Sequence, residues 1–396
     1  MLMDKKQQIL DVLERGVAEV IDKEHLRARL SGKEKLRIKL GIDPTSPSIH
    51  IGRAVALWKL RAFQELGHTA IFIVGDFTGV IGDASDKETE RPMLTSKQVN
   101  QNMKDYIKQV FKILDPKKTE TYYNSEWLAK LGFLELAQMA NLFGLNQFTS
   151  REAIARRMKA DQRVSYLEVM YPLMQGYDSV AVKADVEIGG TDQRFNLLTG
   201  RDIQRFYKQN PQDIMMLELL EGTDGRKMSS SWGNVINITD EPNDMYGKVM
   251  SINDNLIIRY FKLATDVALT EVAKLEKELK KGTNPSIIKK RLAKEIVTLY
   301  HGSKLAEVAG VEFEKVFAKK DKPTEIPSMK VKSKNIVELL VETKLASSKS
   351  EARRLVEQGG VKVNDVVVHA TTLELNISTN PVTVQVGKRK FVRLRA

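Results

Sequence analysis

The sequence predicts an α/β protein built on a doubly wound parallel sheet with a helical insertion, followed by an α-helical domain and a small α+β domain. Three observations carry that expectation. Residues 37–42 read as a strand, 52–66 as a helix and 70–74 as a second, wholly apolar strand, which together make a strand–loop–helix–strand unit. A second strand–turn signal at 181–188 leads into Gly189-Gly190-Thr191-Asp192-Gln193. Beyond Gly359-Gly360, short β-rich runs recur at 361–363, 366–368, 382–386 and 391–394.

Taken in order, residues 1–35 carry an amphipathic pattern (Ile9, Val12, Leu13, Val17, Val20, Ile21) and read as an N-terminal helical segment ending near Ser31-Gly32-Lys33-Glu34-Lys35. The α/β region occupies 36–220. Within it, 94–165 is mostly helical and reads as an insertion between two halves of the sheet. Residues 221–320 hold a Gly- and Ser-rich loop and then helices. Residues 321–330 form a linker, polar and bearing Pro323 and Pro327. In the 331–396 tail, a first helix leads to Ser347-Ser348-Lys349-Ser350. Those residues cap a second helix that Gly359 ends.

The chain has 396 residues, room for two or three domains, and its 42% hydrophobic and 29% charged residues are ordinary for a soluble protein. No apolar stretch approaches a membrane span and no signal peptide is visible, so a cytoplasmic location is expected. The absence of cysteine excludes disulfides and thiolate metal sites. His25, His50, His68, His301 and His369 are too scattered to suggest a metal cluster. The net charge of +12 favours a polyanionic partner. Half of it falls in residues 331–396, which hold 12 Lys/Arg and 6 Asp/Glu.

Three motifs carry chemistry. The first loop, Asp43-Pro44-Thr45-Ser46-Pro47-Ser48-Ile49-His50-Ile51-Gly52-Arg53, sets a His and a Gly at a helix N-terminus. Free N–H groups and the helix dipole suit such a place to phosphate, and a glycine admits close approach. The loop lacks the glycine spacing of a dinucleotide fold or a P-loop. The second motif, Gly225-Arg226-Lys227-Met228-Ser229-Ser230-Ser231, reads as a mobile loop. The third sets Tyr171, Gln175 and Asp178 at i, i+4 and i+7, one polar face in an apolar helix, with Pro172 and Gly176 interrupting it.

His50-Ile51-Gly52 resembles the HIGH signature of class I aminoacyl-tRNA synthetases, and Lys227-Met228-Ser229-Ser230-Ser231 resembles their KMSKS loop. Tyr171-Pro172-Leu173-Met174-Gln175-Gly176-Tyr177-Asp178, followed by Ile188-Gly189-Gly190-Thr191-Asp192-Gln193, is similar to the amino-acid pocket of the tyrosyl branch. Asp43-Pro44-Thr45, Gly82-Asp83 and Asn124-Ser125-Glu126-Trp127 fall in the family's order, and the tail resembles an S-four-type RNA-binding domain.

The resemblance implies a Rossmann-like catalytic domain that joins tyrosine to ATP, accompanied by Mg2+, and then charges tRNA(Tyr), in a homodimer. Asp178 would accept the substrate phenol. Tyr171, Gln175 and Asp83 would surround the ammonium, with Gly41 and Asn124 in the same pocket. Asp192 and Gln193 would face the ribose. Asp43, Gly52, Arg53, Met228, Ser230 and Ser231 would meet ATP, and Thr45, His50 and Lys227 its reacting phosphates. Lys87 and Arg91 would touch phosphate or tRNA, and Lys349, Arg353, Arg354, Lys362 and Arg389 the tRNA.

Three residues depart from the family pattern. Arg53 stands for the second histidine, Ser230 for the second lysine, and Lys39 for a tyrosine that touches the substrate phenol. Two other readings stay open on the residues alone. One is an RNA-binding protein on an inactive synthetase scaffold. The other is a nucleotidyltransferase of the H-x-G-H type, which would leave the polar helix face and the tail unexplained.

Overall fold

The computed structural model describes residues 4–83, 93–318, 326–346, 348–376, 382–387 and 390–395. A six-stranded sheet forms from β1 (Val17–Ile21), β2 (Arg37–Ile42), β3 (Thr69–Val74), β4 (Thr119–Tyr123), β5 (Val186–Gly190) and β6 (Asp213–Leu217), in the order β1-β6-β5-β2-β3-β4. β2 to β6 run parallel, and β1 closes one edge antiparallel to β6. β2 lies between β3 and β5, so the direction of winding reverses beside it. That reversal opens a crevice at the carboxyl ends of β2 and β5.

Three expectations need correction. Residues 1–35 are not wholly helical: Lys5–Glu14 and Lys23–Ser31 are helices, but β1 lies between them. Gly16, at φ +62, stops the first helix and turns the chain into the strand. The 94–165 segment is likewise not a pure insertion, because it contains β4, the edge strand beside β3. The strand signal at 181–188 also shifts. Ala181 is the last residue of the Tyr166–Ala181 helix, and the strand proper is Val186–Gly190.

One face of the sheet packs on the Ile51–Glu65 helix and on helices of residues 242–318 in a single apolar core that includes Ile38, Leu57, Phe63, Tyr260 and Ile296. The helical region is therefore not a separate globule. Trp58 donates to the Tyr300 hydroxyl at 3.1 Å across that contact. The other face carries the Tyr166–Ala181 and Arg194–Phe206 helices. They approach so closely that a Cβ on Gly176 would lie 3.2 Å from the Gly200 Cα.

The tail has a core of its own. Its sheet comprises β7 (Ser328–Lys330), β8 (Val361–Val363), β9 (Val366–Val368), β10 (Val382–Val386) and β11 (Lys390–Arg395), in the order β7-β11-β10-β8-β9, with helices Ile336–Glu342 and Lys349–Glu357. β7 pairs with β11, so the expected linker is too long at its C-terminal end. Its residues 321–325 lie outside the described residues. Among the described residues no helix is long and apolar enough to cross a membrane.

Candidate active site

The crevice at the strand ends is a cavity of about 990 Å3. It is lined by Gly41 and Asp43 from the end of β2, by Glu187 and Gly190 from β5, and by the start of the Ile51–Glu65 helix. Thr45, His50, Gly52, Arg53, Asp83, Asn124, Tyr171, Gln175, Asp178, Asp192, Gln193, Lys227, Met228 and Ser230 all face it. Residues expected from three distant motifs thus meet in one place. Lys87 and Arg91 lie outside the described residues, as does the side chain of Ser231.

His50 is the N-cap of the Ile51–Glu65 helix, its Nδ1 accepting from the Arg53 backbone N–H at 3.2 Å. Burial, with the Arg53 and Lys227 cations nearby, pushes the imidazole pKa down to about 3. The ring is therefore neutral at physiological pH, and with Nδ1 accepting, the proton sits on Nε2 as a donor. Arg53 itself donates to Thr45 Oγ1 at 2.8 Å and to the Tyr106 hydroxyl at 3.2 Å.

The lysine loop is pinned to this helix start. Ile51 N–H donates to Ile236 O at 2.8 Å, and Ile238 N–H to Ile49 O at 2.9 Å. Met228 is buried and its sulfur accepts from Gly52 N–H at 3.4 Å. A Cβ on residue 52 would sit 3.3 Å from that sulfur, so glycine lets the two motifs meet. Lys227 Nζ pairs with Asp192 at 2.8 Å. Among the described residues Ser230 Oγ reaches only Ser46, at 3.4 Å.

The Tyr166–Ala181 helix keeps its polar face despite Pro172. Tyr171 donates to Asp43 at 2.9 Å, and Thr78 donates to the same carboxylate at 2.7 Å. Gln175 donates to Glu187 at 3.2 Å and accepts from Asn196 at 3.0 Å. Gln193 donates to Asp83 at 2.6 Å. Asp178 is buried and accepts from Trp127 Nε1 at 2.8 Å and Asn124 Nδ2 at 3.3 Å. Burial raises its pKa to about 7, against the opposing pull of Lys39 and of those two donors.

Lys39 does not reach the place of the family's tyrosine. Its ammonium is fully buried, pairs with Glu187 at 2.9 Å, and donates to Ser179 Oγ at 2.7 Å and Gln175 O at 2.9 Å. Sequence reading missed Glu187, Trp127's contact with Asp178, and Tyr106. A signal for Glu187 existed. It is the one charged residue in an apolar strand and stands in register with Lys39, an unlike charge in another.

In the tail, Lys349, Arg353 and Arg354 share the Lys349–Glu357 helix and are exposed, as is Lys362 on β8. Lys349 pairs with Glu338 at 2.8 Å. Arg389 lies outside the described residues. Among the described residues no three His, Cys, Asp or Glu side chains group as metal ligands.

A family model described as tRNA synthetases class I (W and Y) matches residues 31–318. One described as Tyrosine--tRNA ligase SYY-like C-terminal domain matches residues 313–394. A tyrosine–tRNA ligase of Thermotoga maritima is 47% identical over 395 residues, 99% of this chain and 98% of that protein. One of Carboxydothermus hydrogenoformans is 45% identical over 100% of this chain and 99% of that protein. A C-terminally truncated mitochondrial tyrosyl-tRNA synthetase of Aspergillus nidulans has the same fold, with a TM-score of 0.65 at 21% identity, covering 78% of this chain and 94% of that one. Since the likeness to such ligases runs from end to end, the chain belongs to the tyrosine–tRNA ligase family of the class I tRNA synthetases.

Proposed function

We propose that this chain activates L-tyrosine with ATP, releasing pyrophosphate, and then transfers the tyrosyl group to the 3′-terminal adenosine of tRNA(Tyr). The observation that carries the proposal is the meeting of both signature loops with the Tyr171, Gln175, Asp178 face in one cavity. The tyrosine carboxylate attacks the α-phosphate of ATP, and pyrophosphate leaves. Negative charge grows on the phosphate oxygens, so fixed donors and cations lower the barrier. His50, through its Nε2 proton, and Lys227 act there, with Thr45, Arg53, Gly52, Met228, Ser230 and Ser231 around the nucleotide. Mg2+ arrives on the phosphates as part of the substrate. The Lys227–Asp192 pair is exchanged when the ribose hydroxyls reach Asp192 and Gln193.

Asp178 accepts the substrate phenol in the anionic state, and Trp127 and Asn124 hold its carboxylate in place. Phenylalanine would leave that buried acceptor short of a partner and is rejected, a rule for which tyrosyl-tRNA synthetases are themselves the standard example. Tyr171, Gln175 and Asp83 take the ammonium, beside Gly41 and Asn124. Asp43 serves chiefly to hold Tyr171 and Thr78. The tail binds tRNA through Lys349, Arg353, Arg354, Lys362 and Arg389, while Lys87 and Arg91 contact phosphate or tRNA. A homodimer is supported by exposed apolar side chains between 133 and 158, Phe133 (88% exposed) and Leu134 foremost among them. We place the protein in the cytoplasm.

The test is ATP–pyrophosphate exchange driven in turn by tyrosine, tryptophan and phenylalanine. Tyrosine is expected to drive exchange far better than the other two. Equal exchange with phenylalanine refutes the assignment of Asp178, and no exchange with any amino acid refutes the enzyme.

A further inference from the structure

The Ser96–Val110 helix grips the phosphate loop through one polar face. Its residues 102, 106 and 109 stand at i, i+4 and i+7 and so project together. Asn102 Nδ2 donates to Pro44 O at 2.9 Å. Gln109 accepts from Ile49 N–H at 2.9 Å and donates to Pro47 O at 2.9 Å. Between them Tyr106, 1% exposed, accepts from the Arg53 guanidinium, whose other arm holds Thr45 Oγ1. Arg53 forms no ion pair with a carboxylate among the described residues. Its charge is oriented by two neutral hydroxyls at the wall of the cavity, where a carboxylate would have cancelled it. Lys227, the other cation beside His50, is neutralised by Asp192. An arginine fork held open by hydroxyl groups suits the paired oxygens of a polyphosphate.

We propose that Tyr106 is a positioning residue which fixes Arg53 against Thr45, so that the three form a clamp for the β- and γ-phosphates of ATP and for the departing pyrophosphate. The clamp takes the place of the imidazole that Arg53 replaces. It rests on the ATP-dependent reading above, yet it can be measured without turnover. ATP and inorganic pyrophosphate are titrated calorimetrically into the full chain, R53A, Y106F, the double variant and R53K, with tyrosine affinity measured on each.

R53A is expected to weaken pyrophosphate and ATP roughly 10- to 100-fold, and Y106F about three- to tenfold, as for lost hydrogen bonds to charged groups. In the R53A background, Y106F should change nothing beyond about twofold, because Tyr106 acts only through Arg53. R53K should recover only part of the binding, since an ammonium keeps the charge but has no fork. Tyrosine affinity should hold throughout. Additive losses overturn the clamp. So does a parallel fall in tyrosine affinity, which would mark a structural role, or a Y106F protein that binds pyrophosphate normally. A wild-type chain that binds pyrophosphate with the expected coupling but exchanges it with no amino acid keeps the clamp and loses the synthetase reading.

Discussion

Replacing Asp178 with Asn is expected to make the protein more stable and nearly inactive. The carboxyl sits in a buried pocket where its pKa rises from 3.8 to about 7. A raised pKa in an acid means that the fold favours the neutral form. The penalty for ionisation is absent below the unfolded pKa, grows as pH climbs toward the folded one, and is complete above it. The full rise corresponds to on the order of 4 kcal/mol. The new side-chain carbonyl of D178N could still accept from Trp127, but its NH2 would face the Asn124 amide. Asn124 cannot turn, because its Oδ1 accepts from Phe77 N–H at 3.0 Å. That lost bond removes about 1 kcal/mol, leaving a net gain of about 3 kcal/mol at pH 8 and under about 1 kcal/mol near pH 5. Trp58, Trp127 and Trp232 all precede the tail, so urea unfolding followed by tryptophan fluorescence reports on the part that holds the site. The same substitution removes the anionic acceptor for the phenol, and tyrosine affinity should fall about 10- to 100-fold. Equal stability of the two proteins at pH 8, or a difference that does not change between pH 5 and pH 8, would refute the reasoning.

Lys39→Met strands Glu187 in the interior and should destabilise the protein by about 3–5 kcal/mol, while the Lys39→Met, Glu187→Gln pair should recover much of it; urea titration of the three proteins decides. His50, with its pKa held down to about 3, stays neutral, so the rate of adenylate formation should show no imidazole titration between pH 5.5 and 8 in stopped flow. Because its folded pKa lies below the unfolded one, the buried ring costs stability as pH falls below about 6.5, a loss that His50→Gln should relieve. His50→Ala and Lys227→Ala should each slow adenylate formation while leaving tyrosine affinity unchanged, and collapse of that affinity with an unaltered rate would reverse their assignment. A chain ended after Ala318, ahead of β7, should still form tyrosyl-adenylate but charge tRNA poorly, with a shallower dependence of tRNA affinity on salt.

Local patterns were legible wherever a signal sat within one segment. The apolar runs of β2 and β3, the His–Gly loop, the lysine loop and the 171/175/178 face each fit in fewer than twenty residues, and the structure brings the three motifs together. What was not legible depended on partners far along the chain. β1 continues the apolar spacing of the helix before it, and only its pairing with β6, some two hundred residues on, makes it a strand. β4 is five residues long and half-buried throughout, too short to stand out from its helical surroundings. Lys39 looked like the loss of a phenol contact. In the structure it is half of a buried pair that holds Gln175 from below, through its backbone carbonyl and through Glu187.

These networks also show how one cavity can hold reactants of like charge. Tyrosine's carboxylate and the α-phosphate repel each other, so on the proposed reading positive charge is needed at the phosphate end, while the cation under the amino-acid end, Lys39, is paired with Glu187. The His50 imidazole stays neutral at the phosphate end chiefly because it is buried, and the Arg53 and Lys227 cations push in the same direction. A protonated His50 would add a third cation in a buried site, at a desolvation cost that a neutral N–H donor avoids. Carboxylates stand at the amino-acid end too, with Asp43 holding Tyr171 and Asp178 held by Trp127 and Asn124. Burial opposes the ionisation of Asp178, and a bound phenol is the donor that would stabilise its anion. Tyrosine binding should therefore shift the Asp178 carboxyl back toward ionisation and release a proton near neutral pH. That release should scale with the unliganded fraction protonated and vanish in Asp178→Asn. Calorimetry of tyrosine binding in two buffers of different ionisation enthalpy measures it. Equal proton release by the wild type and Asp178→Asn would show that the phenol does not meet this carboxylate.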